Sequence, residues 1–263
     1  IGDMPDFATS TIHVAADGSE PQLHVCHAGA NVRLNEFDIV WNRRRERPRA
    51  PEDASPFDTA IIEEEFFNHC DNMLHLLGRI RKTVNCPVRQ KRADRKAVQL
   101  FIAGQVGFDT MPTLFTNDVD RISEFHAHNA PLIAKPHRQH GWTDGDRSFN
   151  ALTFDLSLPA ESDRWSIEAC PLIVQKKVVR TMEVRLISFG GRIFAAKTVD
   201  AEGVVDSRME TMNNGFATIE AITPPDAISK KCIAYLERME IEFGAFDFIV
   251  DQDGRWVFLE CNE

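Results

Sequence analysis

The run from Phe243 to Asn262 constrains the fold more than any other stretch: Phe243-Gly-Ala-Phe-Asp247-Phe-Ile-Val-Asp-Gln-Asp-Gly254-Arg-Trp-Val-Phe-Leu-Glu260-Cys-Asn262. Asp253-Gly254 is a strong hairpin signal, because glycine reaches the positive φ of a tight turn without steric cost. Before it, Phe246, Phe248 and Val250 alternate with Asp247 and Ile249; after it, Trp256-Val-Phe-Leu is rich in strand formers. Two paired strands are expected. Glu260 and Asn262 are two apart, so on an extended chain they share a face, and Asp247 on the partner strand can meet them across the pair. Two carboxylates and an amide are hard oxygen donors of the kind that hold Mg²⁺ together with phosphate oxygens. Acidic residues near strand ends are usually solvated, but charges set among Phe, Val and Leu need a partner such as a metal. The pattern is that of a site for a metal-bound nucleoside triphosphate.

Composition narrows the alternatives. The 263 residues are enough for a sizeable core, and 43% hydrophobic with 27% charged content is ordinary for a globular protein. A net charge of -10 argues against a general nucleic-acid binder, so no nucleic-acid partner is expected. The positive residues nevertheless cluster, at Arg43-Arg-Arg-Glu-Arg47, Arg79-Ile-Arg-Lys82 and Arg89-Gln-Lys-Arg-Ala-Asp-Arg-Lys96, which suits phosphates or an acidic peptide. Six cysteines (26, 70, 86, 170, 232 and 261) show no CxxC pair and no zinc-ligand spacing, so reduced thiols and a cytoplasmic location are expected. No apolar run has the length of a membrane span, no signal-like start is present, and no membrane partner is expected. Both ends, Ile1 and Glu263, read as clipped.

Along the chain, Gln22–Cys26 and Phe37–Trp41 read as extended pieces of a small α/β lobe. The spacing of Ile61, Ile62, Phe66, Phe67, Met73, Leu74, Leu77 and Ile80 predicts a helix over 58–82, with acidic Glu63–Glu65 toward its start and basic Arg79, Arg81 and Lys82 at its end. A second helix is expected over 95–107, a strand at 112–116, and a helix over 118–128 capped by Asn117 or Asp118. Pro131-Leu-Ile-Ala-Lys135-Pro is a short strand, and 137–147 has the profile of a mobile loop. Strands are expected at 149–156, 172–179, 182–189 and 192–199, the last two joined at Gly190-Gly191, followed by a helix over 223–239. Mixed helices first and antiparallel strands later indicate an α+β fold, not a doubly wound sheet.

Three features now occur in a fixed order: Lys135 ending an apolar strand before a polar loop; Gln175-Lys-Lys-Val-Val-Arg-Thr-Met-Glu183-Val-Arg185 followed by Phe194-Ala-Ala-Lys197; and the Asp247/Glu260/Asn262 set. Singly, each has a plainer reading. Lys135 could be a snorkelling lysine, Lys96 an exposed helix residue, Glu183 and Arg185 a surface pair, and Lys197 a solvated strand end. Together, over residues 84 to 263, they resemble the ATP-grasp superfamily of carboxylate–amine ligases. A narrower resemblance, over most of the chain, is to the graspetide ligases, the microviridin-type peptide cyclases related to RimK-like enzymes. It rests on Val40-Trp41-Asn-Arg43-Arg44, Val84-Asn85-Cys-Pro87, Lys96-Ala-Val-Gln-Leu100 and Met111-Pro-Thr-Leu-Phe-Thr-Asn117.

That resemblance implies three lobes: an N-terminal α/β lobe (1–83, its first strand and helix absent), a central lobe (84–170) and a C-terminal antiparallel-sheet lobe (171–263), with ATP between the last two. It implies ATP and Mg²⁺ as cofactors, and a homodimer acting on a ribosomal precursor peptide with a leader and an acidic core. The leader would sit near the helix at 58–82 or the basic segment at 89–96. An Asp or Glu side chain would be phosphorylated by ATP, and a Ser/Thr hydroxyl or Lys amine would displace the phosphate to leave an ester or amide cross-link. Lys96 and Lys135 would contact phosphates. Gln175, Lys176, Lys177 and Val178 would hold the adenine, and Glu183 would lie near the ribose. Arg185 and Lys197 would lie near the γ-phosphate and acyl phosphate, and Asp247, Glu260 and Asn262 would bind the metal. Trp41-Asn-Arg43-Arg44 is not read as catalytic; its plainer reading is an anchor of the N-terminal lobe. The chain departs from the family at Lys176 and Lys177, where an acidic residue is common. Met209-Glu-Thr-Met-Asn-Asn-Gly215 stands where an Asp-Trp-Arg type signature is usual. Two other readings stay open: a RimK-like ligase adding free amino acids to a carboxylate, and a nucleotide-sensing or leader-binding protein without catalysis.

Overall fold

A computed structural model of the chain describes residues 7–27, 29–43, 49–51, 53–137, 141–144, 147–199 and 218–263. Two compact units emerge. One comprises the chain up to Ala93 with Met239–Phe243 and Glu263; the other comprises Asp94–Arg238 and Gly244–Asn262.

In the first unit, strands β1 (Phe7–His13), β2 (Gln22–His27) and β3 (Ala30–Arg33) form an antiparallel meander. Strand β4 (Ile39–Trp41) pairs in parallel with β5 (Lys82–Val84), and helix α1 (Pro56–Ile80) is the crossover between them. The helix starts earlier than its apolar spacing alone indicates, because the Ser55 hydroxyl accepts from the Asp58 amide at 3.1 Å and Pro56 fills the first turn. It stops at Ile80 because Arg81 turns extended and Lys82 opens β5. Met73 and Leu77 of α1 pack with Leu23 and Val25 of β2, giving this unit its core. Helix α2 (Pro87–Ala93) occupies what the sequence marks only as a basic segment. Buried Asn85 closes the unit: its amide accepts from the Glu242 and Phe243 N–H groups at 2.8 and 2.9 Å and donates to the Phe243 carbonyl at 2.9 Å. The Trp41 and Phe243 rings meet edge-on at 5.3 Å with the Arg43 guanidinium over both, so this motif does anchor local structure.

The second unit opens with helix α3 (Lys96–Gln105), strand β6 (Thr113–Thr116), helix α4 (Val119–Asn129) and strand β7 (Leu132–Lys135). Asp118 caps α4 by accepting from the Asp120 and Arg121 amides. The stretch expected as a loop carries a two-stranded hairpin, β8 (Gly141–Asp144) with β9 (Arg147–Asn150); residues 138–140 and 145–146 lie outside the described residues. The single strand expected over 149–156 is therefore two pieces, since β10 (Phe154–Leu156) joins a different sheet. After the short helix α5 (Trp165–Glu168) comes β11 (Leu172–Lys176). The four-stranded order is β10-β7-β11-β6, all antiparallel, with Val119, Ile122 and Ile167 packed on Leu132 and Val174.

A second sheet follows, built from β12 (Arg180–Phe189), β13 (Arg192–Val199), β14 (Thr218–Ile222), β15 (Phe243–Asp251) and β16 (Trp256–Asn262) in the order β14-β13-β12-β15-β16. Gly190 and Gly191 both take positive φ, as a two-residue hairpin turn requires. Helix α6 (Asp226–Met239) begins after Pro224-Pro225, three residues later than expected at 223. The α+β class read from the sequence is the class observed. The segment Met209–Gly215 lies outside the described residues.

Candidate functional site

In the closing hairpin, Asp247 stands opposite Glu260, and Ala245 opposite Asn262, so all four side chains lie on one face. Behind them, Phe246, Phe248 and Phe258 are fully buried with Phe108 and Tyr235. Phe108 stacks on Phe258 at 5.4 Å, and Tyr235 meets Phe246 edge-on at 5.3 Å. This slab makes one face of the hairpin rigid and leaves the polar residues on the other. Leu259 is an extra residue on β16 between the Asp247–Glu260 and Phe248–Phe258 pairs, and this bulge turns Glu260 onto the Asp247 face. At the far end, the buried Asp251 carboxylate accepts from the Asp253 and Arg255 amides at 3.0 and 2.9 Å and from the Arg255 side chain, so the turn rests on more than Asp253-Gly254. Hydrogen bonds from Arg255 and Asp253 hold the Asp251 pKa low.

Both hairpin carboxylates are ion-paired. Arg185 of β12, the neighbour of β15, places one guanidinium nitrogen 2.7 Å from each Asp247 oxygen. Lys96, the first residue of α3, donates to Glu260. The Asn262 amide donates to Asp247 at 3.1 Å and to Glu260 at 3.3 Å. Burial pushes the Asp247 carboxyl up to about 6 against the pull of Arg185, with the charges of Glu260 and Glu183 adding to the rise. Glu260 goes the other way. Burial raises it, but the charge and hydrogen bond of Lys96, the Asn262 amide and the charge of Lys135 together bring it down to about 2. Asp247, Glu260, Asn262, Arg185, Lys96 and Lys135 thus form one electrostatic cluster.

The remaining residues singled out from the sequence are placed differently. Lys135 donates to Gln175 Oε1 at 3.0 Å, and Gln175 Nε2 donates to the Thr113 hydroxyl at 2.9 Å. Gln175 is 1% exposed. Its side chain therefore ties three strands together and orients Lys135. The Lys176 and Lys177 amides bond the Pro112 and Pro131 carbonyls, and the Lys177 ammonium is held by Asp155 at 2.7 and 2.9 Å. Strand β11 ends at Lys176, leaving Val178 beyond it. Glu183 shares the Arg185 face of β12 and pairs with Arg180 at 3.0 Å. Lys197 stands opposite Val184, on the face of buried Val184 and Leu186, and pairs with Glu220 at 2.9 Å; the pleat points it away from Arg185 and Asp247.

The donor set fits Mg²⁺. Two carboxylates and one carboxamide converge, and turning the Asn262 amide about its last torsion presents oxygen instead of nitrogen. Among the described residues no group of three or more His, Cys, Asp or Glu could hold a metal. The other coordination positions would fall to phosphate oxygens and water, as is usual for this ion. Two residues lie in the quoted motifs but were given no role there: Thr113, which anchors Gln175, and Gln99, which sits one helical turn beyond Lys96 and is 3% exposed. A glutamine inside an apolar helix pattern was the available signal for Gln99. All six cysteines are free, and no helix among the described residues is long and apolar enough to cross a membrane.

No protein-family model matches the chain. A glutathione synthetase of Rhodopseudomonas palustris is 27% identical over 204 residues, 74% of this chain and 56% of that protein; the chain therefore spans a little over half the length of this curated relative. Among solved structures, a Chryseobacterium gregarium RiPP-associated ATP-grasp ligase in complex with ADP and a leader and core peptide superposes with a TM-score of 0.84 at 19% identity, covering 98% of this chain and 78% of that one. The macrocyclase MdnC of Microcystis aeruginosa bound with precursor peptide MdnA gives 0.82 at 19% identity, covering 99% and 81%. The ATP-grasp ligase PsnB with a phosphomimetic precursor variant, Mg and ADP gives 0.70 at 19% identity, covering 97% and 77%. The architecture shared with these structures is the ATP-grasp fold.

Proposed function

We propose that this chain, built on the ATP-grasp fold, is an ATP-dependent ligase that activates Asp or Glu side chains of a ribosomal precursor peptide and closes intramolecular ester or amide cross-links. The observation that carries the reading is the convergence of Asp247, Glu260, Asn262 and Arg185 on one face of the five-stranded sheet, with Lys96 of α3 bonded to Glu260 and the charge of Lys135 acting on it. Such an array of fixed cations around hard oxygen donors suits a reaction whose charge builds on phosphoryl oxygens. Similarity to ligases solved with leader and core peptides or with precursor peptide supports the substrate class.

The reaction balances without a covalent enzyme intermediate. A substrate carboxylate oxygen attacks the γ-phosphorus and ADP leaves; a hydroxyl or amine then attacks the acyl carbon, phosphate leaves with that oxygen, and the nucleophile loses its proton. Mg²⁺ held by Asp247, Glu260 and Asn262 would supply Lewis acidity and screen phosphate charge. Arg185 and Lys96 exchange their carboxylate partners for phosphoryl oxygens, while Lys135, braced by buried Gln175, keeps its ammonium in place. The three-lobe division at 83/84 and 170/171 belongs to this reading. The nucleotide would lie between the four- and five-stranded sheets. An acidic core in the peptide suits the local basic clusters, six free thiols suit the cytoplasm, and a homodimer completes the reading.

The test is mass spectrometry of a candidate precursor incubated with the chain, ATP and Mg²⁺. Loss of one water per bond with ADP release supports the proposal; ATP binding without ADP release across candidate peptides overturns it. The likeness to a glutathione synthetase favours a second reading, ligation of a free amino acid or amine to a carboxylate. That product gains mass.

A further inference from the structure

Strand β16 is the last of its sheet, so the outward backbone groups at its end have no strand to bond. The Phe258 amide donates to the Asp109 carbonyl at 2.8 Å. At Cys261 the partner is a side chain. Gln99 Nε2 donates to the Cys261 carbonyl at 2.8 Å, and Gln99 Oε1 accepts from the Cys261 amide at 3.1 Å. A primary amide presents a donor and an acceptor side by side, so Gln99 does here what one residue of a neighbouring strand would do. Cys261 lies between Glu260 and Asn262 and is itself 2% exposed. Clamping both of its backbone groups sets the pleat on which the two flanking side chains face Asp247. The same helix places Lys96 one turn earlier, on Glu260.

We infer that Gln99 is a positioning residue for the metal ligands: it holds the end of β16 so that Glu260 and Asn262 face Asp247 within reach of Lys96. The role rests on the proposed metal–nucleotide function. It predicts that losing the clamp weakens metal binding out of proportion to any loss of stability, as removal of groups that orient metal ligands does elsewhere.

The experiment compares the wild-type chain with Gln99→Met, which keeps length and removes both hydrogen bonds, and with Asp251→Asn, which weakens the same hairpin at its turn. The probe is Mn²⁺, titrated by electron paramagnetic resonance with saturating ADP, alongside metal-free ADP affinity and thermal unfolding. Gln99→Met is expected to raise the Mn²⁺ midpoint ~10- to 100-fold, with a far smaller change in metal-free ADP affinity. Asp251→Asn is expected to lower the unfolding temperature and leave the midpoint in place. Should Gln99→Met fail to fold, Gln99→Leu, which likewise removes both hydrogen bonds, is read the same way. A folded Gln99 variant with the wild-type midpoint overturns the role, as does an Asp251→Asn shift of equal size. Absence of Mn²⁺ binding by the wild type overturns the metal reading and this role with it.

Discussion

Arg185 and Asp247 are bound through a single guanidinium nitrogen, 2.7 Å from both carboxylate oxygens. With Lys96 on Glu260, both candidate carboxylate ligands already have a cation. A divalent ion arriving alone must displace these cations and strand them. Arriving with a polyphosphate, it brings the anions that re-pair them. The charge balance therefore favours a metal that enters with its nucleotide.

Arg185→Met separates this account from a surface ion pair. Turnover should fall ~10²-fold or more, because a fixed cation facing the phosphoryl group is lost. Binding of free Mn²⁺ without nucleotide should strengthen, because Asp247 loses its competitor. Unchanged turnover would place Arg185 outside the site.

Asp247 and Glu260 give opposite pH signatures in the metal-free protein. The folded pKa of Asp247 is raised, so its contribution is fully present below about pH 4 and is lost as pH rises through about 6. Asp247→Asn should therefore stabilise the metal-free protein by roughly 1–3 kcal/mol at pH 8, with the gain vanishing below about pH 4. Glu260 has a lowered folded pKa, so its contribution is present above about 4.5 and is lost as pH falls through about 2. Glu260→Gln should destabilise at neutral pH, and the deficit should close toward pH 2. Both variants should lose turnover. Denaturant melts across pH check the signs.

Lys135 and Lys197 should behave differently although both end up near strands of the same unit. Lys135→Ala should weaken ATP binding and leave buried Gln175 without one partner, costing ~1–3 kcal/mol. Lys197→Ala removes only a pair with exposed Glu220 on the other face and should leave ATP affinity unchanged. Isothermal calorimetry on the two variants measures the contrast; equal losses would overturn the facial assignment.

Gly244→Ala should destabilise by ~1–3 kcal/mol. A Cβ there would lie 2.7 Å from both Cys261 Sγ and Leu236 Cδ2, and neither buried neighbour can step aside freely. Thermal unfolding measures it, and an unchanged midpoint would show that α6 yields.

Much of this was legible because two periodicities dominate locally. The hairpin follows from strand alternation around Asp253-Gly254 and α1 from the spacing of its apolar residues, but the pairing of Asp247 with Glu260 does not: regular alternation would set Leu259 opposite Asp247, and one extra residue on the second strand brings Glu260 there instead. The β8–β9 hairpin was missed because its polar, Gly-containing sequence lacks apolar alternation. The face that Lys197 takes was not legible, because strand spacing alone does not say which neighbour it stands beside; the register opposite Val184 does. The burial of the Gln175 side chain was not legible, because its partners Lys135 and Thr113 come from two other strands. Gln99 escaped for the same reason, since its partner is a backbone 162 residues away.

The most direct test titrates Mn²⁺ into the wild-type chain, Asp247→Asn and Glu260→Gln, each with and without ADP. The account predicts tight Mn²⁺ binding by the wild type only when ADP is present, and its loss in both variants. Equal binding with and without ADP, or full binding in either variant, would contradict it.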